Sequence, residues 1–271
     1  MLRPGLCSVT LRKHSAPEVI RLAAQAGLSG IEWGGDVHVP PGDLANARNV
    51  GAQTRDAGLA VISYGSYYRL AHSEAEGMAF AAVLETALAL EAPVVRTWAG
   101  TKSPEKASPA EKAAVVADAV RIASLAHSAG VRVALEFHAN TLTETLDSAQ
   151  GLLRAANHAN LYTLWQPIYW GDGATVAANE AILRALLPRM AHLHVFTWEQ
   201  KTPGVTERFP LAHGETAWRQ YLSLLTANPA EDAHTRWLCL EFVAGDSPDN
   251  LSADAATLKH WLSDTGAGPK V

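Results

Sequence analysis

Residues 129–138 read Ala129-Gly130-Val131-Arg132-Val133-Ala134-Leu135-Glu136-Phe137-His138. Gly130 stands where a helix would end on a left-handed residue, a conformation that costs glycine little because it has no Cβ. The apolar, β-branched run behind it reads as a buried strand, and that run ends in a carboxylate. Alternate residues of a strand share a face, so Glu136 points inward if Ala134 does. Burying a carboxylate without a partner is costly, which marks Glu136 as a residue that must meet a cation or several donors.

The same punctuation recurs upstream. Ala26-Gly27-Leu28 and Ala57-Gly58-Leu59 again set glycine between a helical pattern and an apolar run. Ser15-Ala16-Pro17-Glu18 and Ser108-Pro109-Ala110-Glu111 each put a hydroxyl three residues ahead of a glutamate with proline in the first turn, so both predict a capping box. Strands are expected at 5–10, 30–33, 60–64, 93–98, 131–137, 161–166, 191–196 and 237–242. Further apolar-faced helices are expected at 79–90, 113–127, 148–156, 178–187, 218–225 and 253–261. Strands alternating with helices predict βα units on a parallel sheet, and no linker divides residues 1–271. The pattern alone fits a closed barrel or an open doubly wound sheet. The turn after the first strand, Thr10-Leu11-Arg12-Lys13-His14-Ser15, lacks the glycines of a dinucleotide or phosphate loop. That favours an α/β fold of the (β/α)8 type, a TIM barrel forming one domain.

Composition agrees and excludes several classes. The chain has 271 residues, 48% hydrophobic and 18% charged, enough for a large buried core. Its formal net charge of -5 and the lack of any basic cluster beyond Arg12-Lys13 argue against nucleic acid as a partner. No apolar run approaches the roughly 20 residues that span a bilayer, and the start lacks a secretion signal, so no membrane association and a cytoplasmic location are expected. Cys7 and Cys239, the only cysteines, sit in apolar strand segments and read as buried thiols.

In a barrel of this type the chemistry lies at the C-terminal ends of the strands. Trp237-Leu238-Cys239-Leu240-Glu241-Phe242 repeats the design of the Glu136 strand, and His192-Leu193-His194 places two imidazoles on one face. Leu164-Trp165-Gln166-Pro167 supplies an amide oxygen. Two carboxylates, an imidazole and a further oxygen suit Mn²⁺, Mg²⁺ or Zn²⁺, because the ion offsets the repulsion between the carboxylates. Each residue alone is more simply read as hydrogen-bonded structure; three strands converging weaken that reading.

The order of Leu135-Glu136-Phe137-His138, Thr141-Leu142-Thr143-Glu144-Thr145, the Gln166 strand, His192-Leu193-His194, Pro210-Leu211-Ala212-His213-Gly214-Glu215 and Leu240-Glu241 resembles the xylose-isomerase-like barrels, in particular their sugar phosphate isomerase/epimerase branch. Val94-Val95-Arg96-Thr97-Trp98-Ala99-Gly100 resembles the end of the fourth strand there. The resemblance implies a divalent ion on Glu136, Gln166, His194 and Glu241, with Glu136 and Glu241 sharing the roles of general base and acid. Members usually carry Asp at the position of Gln166 and often His at that of Tyr169. Gln coordinates through its carbonyl but brings no charge, so ion affinity falls.

The implied reaction is isomerisation or epimerisation of a sugar or sugar phosphate, through proton removal beside a carbonyl and an enediolate. A small carbohydrate is the expected partner, and a homo-oligomer is compatible with the sequence. His138 follows Glu136 on the same face and is a substrate-contact candidate. Aromatic residues gather at expected strand ends, and such rings suit the apolar faces of sugars; Trp33 is foremost, with Tyr169 beside it. Arg96 and Arg208 are candidates for an anionic group. Two rivals are a metal-dependent endonuclease acting at abasic sites, which the missing basic face disfavours, and a non-catalytic carbohydrate-binding barrel that has lost its metal, which Gln166 favours.

Overall fold

The structure, a computed structural model, describes residues 1–171, 173–202, 204–230 and 234–266. The barrel strands are β1 (Leu2–Cys7), β2 (Gly30–Gly34), β3 (Ala60–Arg69), β4 (Val94–Trp98), β5 (Arg132–Glu136), β6 (Leu161–Trp165), β7 (Met190–Val195) and β10 (Arg236–Leu240). They pair in parallel and close in the order β1-β10-β7-β6-β5-β4-β3-β2. Around them lie α1 (Ala16–Gln25), α2 (Leu44–Asp56), α3 (Phe80–Leu90), α4 (Pro109–Ser128), α5 (Leu146–Ala156), α6 (Val176–Leu186), α7 (Glu215–Ala227) and α8 (Pro248–Asp264). The (β/α)8 barrel expected from the alternating pattern is the observed fold.

Local chemistry sets the element ends. Both predicted capping boxes form, at Ser15 with Glu18 and at Ser108 with Glu111. Gly27, Gly58 and Gly130 take φ of 69°, 76° and 73°, the left-handed region a helix end needs before the chain turns into a strand.

Strand parity divides the core in two. Outward residues such as Leu6, Ile31, Trp33, Val133, Leu135, Trp165 and Leu193 join the helices in one large apolar cluster. Inward residues form small clusters, Val94 with Ala134, Leu164 and Ala191, and Cys7 with Val9, Ile62 and Cys239. Ala134 therefore faces the barrel axis, and Glu136, two residues on, faces it as well. Glycine makes room for one long inward side chain: a Cβ on Gly65 would stand 2.5 Å from the Arg96 guanidinium.

Some segments depart from expectation: residues 8–10, expected as strand, lie in a 3-10 turn over Ser8–Leu11, and the strand expected at 60–64 runs on to Arg69. The stretch after β7, to which the sequence pattern assigns neither strand nor helix between 196 and 218, folds into an antiparallel hairpin of β8 (Thr197–Thr202) and β9 (Val205–Phe209), with Trp198 opposite Arg208. Thr, Val and Phe supply strand-forming residues there, but exposed charges mask the two-residue alternation. No described helix is long and apolar enough to cross a membrane.

Candidate functional site

Inward parity at the ends of β2, β4, β5 and β7, and just beyond β10, brings five ionisable residues together. Glu32, Arg96, Glu136, His194 and Glu241 are all buried. Arg96 stands between two carboxylates, donating from Nε to Glu32 Oε1 at 3.0 Å and from its terminal nitrogen to Glu136 Oε2. Trp98 Nε1 also donates to Glu136 Oε2. Both donors crowd one oxygen of Glu136 and leave Oε1 facing His194 Nδ1, 3.6 Å away.

His194 has two unlike nitrogens. Nε2 meets Glu32 Oε1 at 3.0 Å. Nδ1 lies 3.2 Å from Glu241 Oε2, yet it is buried and aligned for no hydrogen bond. An orphaned imidazole nitrogen facing two carboxylates is the geometry of a cation site, since native structures rarely leave a buried polar atom without a partner. Glu136, His194 and Glu241 each present one ligand atom, all within 4.8 Å of one another. Three carboxylates face one guanidinium in this cavity, so with neutral imidazoles two negative charges remain, the charge a divalent ion cancels. The donor set therefore fits such an ion.

Without an ion, protons serve instead. Burial works against a charged His194, but Glu241, Cys7 and Glu32 outweigh it and hold the imidazole well above its ordinary pKa. Burial pushes Glu136 up, and Arg96, His194 and His138 more than reverse it, holding the carboxyl below its usual range. Glu32 behaves alike under burial, Arg96, His194 and His192. For His192 burial prevails and its pKa falls, so it stays neutral.

The mouth is lined with rings. Trp98 packs on Tyr67 at 5.5 Å and on His138 at 4.9 Å. Across from them Trp198 stacks on Phe196 at 3.8 Å and meets Tyr169 at 4.9 Å. The phenol of Tyr169 is raised by burial and then by the charges of Glu241 and Glu136. The hairpin brings Arg208 over Phe242 at 4.5 Å, where it pairs with Asp246 at 2.9 Å. Phe242 itself has φ of 47°, rare for a bulky residue, and its N–H donates to Thr10 Oγ1 at 2.9 Å.

The sequence-level candidates fare unequally. Glu136, His194 and Glu241 converge, and Tyr169, His138 and Arg208 lie around them. Gln166 is buried behind the mouth, its amide nitrogen donating to Phe137 O at 2.9 Å. A carbonyl can only accept, so this bond assigns the amide and leaves Oε1 as the end free for a ligand. Trp33 requires correction. It is 0% exposed and donates from Nε1 to Thr54 Oγ1 of α2 at 3.1 Å, packed between barrel and helices with no face for a sugar. Its neighbour Glu32 takes the inward position, and parity sends Trp33 outward. Arg96 is corrected too, since the anions it meets are the protein's own Glu32 and Glu136. Glu32 was overlooked, although a lone carboxylate in the apolar run Gly30-Ile31-Glu32-Trp33 carries the same signal as Glu136.

Comparison with known proteins agrees with this architecture. The model of the xylose isomerase-like TIM barrel family matches residues 20–262. The chain belongs to that family. It is similar to the structure of a probable 3-DHS dehydratase involved in petrobactin synthesis from Bacillus anthracis, with a TM-score of 0.78 at 20% identity over 95% of this chain and 98% of that one. A xylose isomerase-like TIM barrel protein from Mycobacterium smegmatis in complex with magnesium gives 0.72 at 16% identity, covering 97% of each chain. A D-allulose 3-epimerase from Methylomonas sp. gives 0.69 at 16% identity over 97% and 98%. No curated protein matches this chain. At such identities these likenesses speak to the fold alone.

Proposed function

We propose that this chain is a divalent-metal-dependent isomerase or epimerase acting on a small sugar or sugar phosphate. The observation that carries the proposal is the unpartnered Nδ1 of His194 facing Glu136 and Glu241. Glu136, His194 and Glu241 would hold the ion, with Gln166 Oε1 as a neutral fourth donor. Mn²⁺, Mg²⁺ or Zn²⁺ suits that set, and the similar proteins include one in complex with magnesium. Bound there, such an ion polarises a carbonyl and its neighbouring hydroxyl and lowers the barrier to removing the adjacent C–H proton.

The protein's own groups do the rest. Glu136 Oε2 is tied to Arg96 and Trp98, so that carboxylate is a firm anion and a weak base. Glu241 lacks such a pair of donors among the described residues and takes the proton from the substrate carbon, forming the enediolate. Return of that proton from Glu241 to the adjacent carbon gives an isomer, whereas an epimer requires Glu241 to keep it while a second acid protonates the opposite face of the carbon. Tyr169, Trp98, His138 and Trp198 exclude water and lie against the sugar, while Arg208 meets an anionic substituent. The names of similar proteins, an epimerase and a probable dehydratase, fit a shared first step of proton removal beside a carbonyl.

The reading is tested by incubating the protein with each ion and a panel of ketoses in D2O. Deuterium should enter at the carbon beside the carbonyl, and Glu136→Gln or Glu241→Gln should abolish that exchange in a folded protein. No ion bound and no deuterium incorporated across the panel would leave the second reading, a metal-free carbohydrate-binding barrel, for which the neutral Gln166 speaks.

A further inference from the structure

Glu32 binds more partners than any other carboxylate in the cavity. Oε1 accepts from Cys7 Sγ at 3.2 Å, Arg96 Nε at 3.0 Å and His194 Nε2 at 3.0 Å. Oε2 accepts from Ser63 Oγ at 2.5 Å and His192 Nε2 at 2.7 Å. Five donors from four different strands, two of them imidazoles of β7, meet one side chain that is 0% exposed. A guanidinium among them keeps Glu32 ionised, and an ionised carboxylate only accepts. The imidazole nitrogen facing it must therefore carry the hydrogen. In the neutral imidazole, the form that would bind an ion, that leaves the lone pair of His194 on Nδ1, the nitrogen that faces Glu136 and Glu241.

A different use of the same residues is a second cation site, because Cys7, Glu32 and His194 also present ligand atoms within 4.8 Å of one another. Arg96 argues against it. Its Nε donates to the very oxygen, Glu32 Oε1, that such an ion would need, so a positive charge already occupies that side.

We infer that Glu32 is a positioning residue: it holds His194 through Nε2–H and so aims Nδ1 at the ion that Glu136, His194 and Glu241 are proposed to share. The inference rests on the proposed metal site and assigns Glu32 no contact with ion or substrate. Partners that orient a ligating imidazole typically change ion affinity by roughly 10–100-fold when removed. In Glu32→Gln one oxygen becomes an NH2 that must face a donor, whichever way the amide turns. Glu32→Asp keeps the charge but draws it back by one methylene.

The test is zinc titration by calorimetry on the wild-type chain, Glu32→Gln and Glu32→Asp, with long-range ¹H–¹⁵N spectra of the zinc-loaded wild type. The expected result is one ion per wild-type chain, a roughly 10–100-fold weaker dissociation constant in both variants, and His194 carrying its hydrogen on Nε2 with zinc on Nδ1. The spectrum needs only the wild type, so it decides the matter even if neither variant folds. Equal affinity in wild type and variants, zinc on Nε2, or two ions per chain overturns the role of Glu32 while leaving an ion-binding protein. No ion bound by the wild type overturns the metal reading and the role of Glu32 together.

Discussion

Replacing Arg96 by methionine removes the one guanidinium that stands between Glu32 and Glu136 while filling much of the same volume. Both carboxylates then lie buried without their strongest partner. Breaking a buried ion pair from one side costs about 3–5 kcal/mol, so Arg96→Met should lose about 4 kcal/mol at pH 7. An unfolding entropy of about 2.1 cal/mol/K per residue over 271 residues is about 0.57 kcal/mol/K, which makes the loss a drop of about 7 °C in Tm. The pH dependence gives the sharper signature. In the wild type both carboxyls are held below their unfolded pKa, so their stabilisation is complete above the ordinary carboxylate range and fades as the pH falls through it. Without Arg96, burial dominates and pushes both pKa values above the unfolded value. The folded variant then binds more protons than the unfolded chain, and its stability rises as the pH is lowered from 7 toward 5. Urea denaturation of both proteins from pH 5 to pH 8 measures this directly. A loss below about 1 kcal/mol, or a deficit that does not shrink on acidification, would show that Arg96 does not neutralise the cavity.

Gln166→Asp adds a third carboxylate to the donor set and should tighten ion binding in calorimetry, whereas unchanged affinity would remove residue 166 from the site. Ion binding should displace the proton that His194 carries in the metal-free protein. Titrations in two buffers of different ionisation enthalpy should show about one proton released near neutral pH, with affinity weakening as the pH falls. Trp33→Ala should cost about 3–5 kcal/mol by leaving a cavity between barrel and α2, with the KM of the folded fraction unchanged. A raised KM at full stability would return Trp33 to the substrate.

The barrel was readable because its local signals agree. Glycines at helix ends, capping boxes and apolar runs of strand length all point to repeating βα units, and Glu136 and Glu241 stand out as charges closing apolar strands. Two features escaped for definable reasons. The hairpin carries Glu199, Lys201, Glu207 and Arg208 on a short exposed ribbon, where burial imposes no alternation for a sequence to display. Glu32 was hidden by its neighbour, since a tryptophan at a strand end resembles a sugar platform. The parity that chose Glu136 over Leu135 chooses Glu32 over Trp33, and applying it to β2 would have found both. The pairing of Arg96 with Glu32 and Glu136 depends on register between β2, β4 and β5, which appears only once the barrel closes.

The proposed chemistry stands on the cavity between Glu136, Glu241 and Nδ1 of His194. An anomalous difference map from crystals soaked in Mn²⁺ tests it most directly. One peak bounded by those three side chains is expected, with Nδ1 as the imidazole ligand. A map without a peak there, or with its peak beside Cys7 and Glu32, would contradict it.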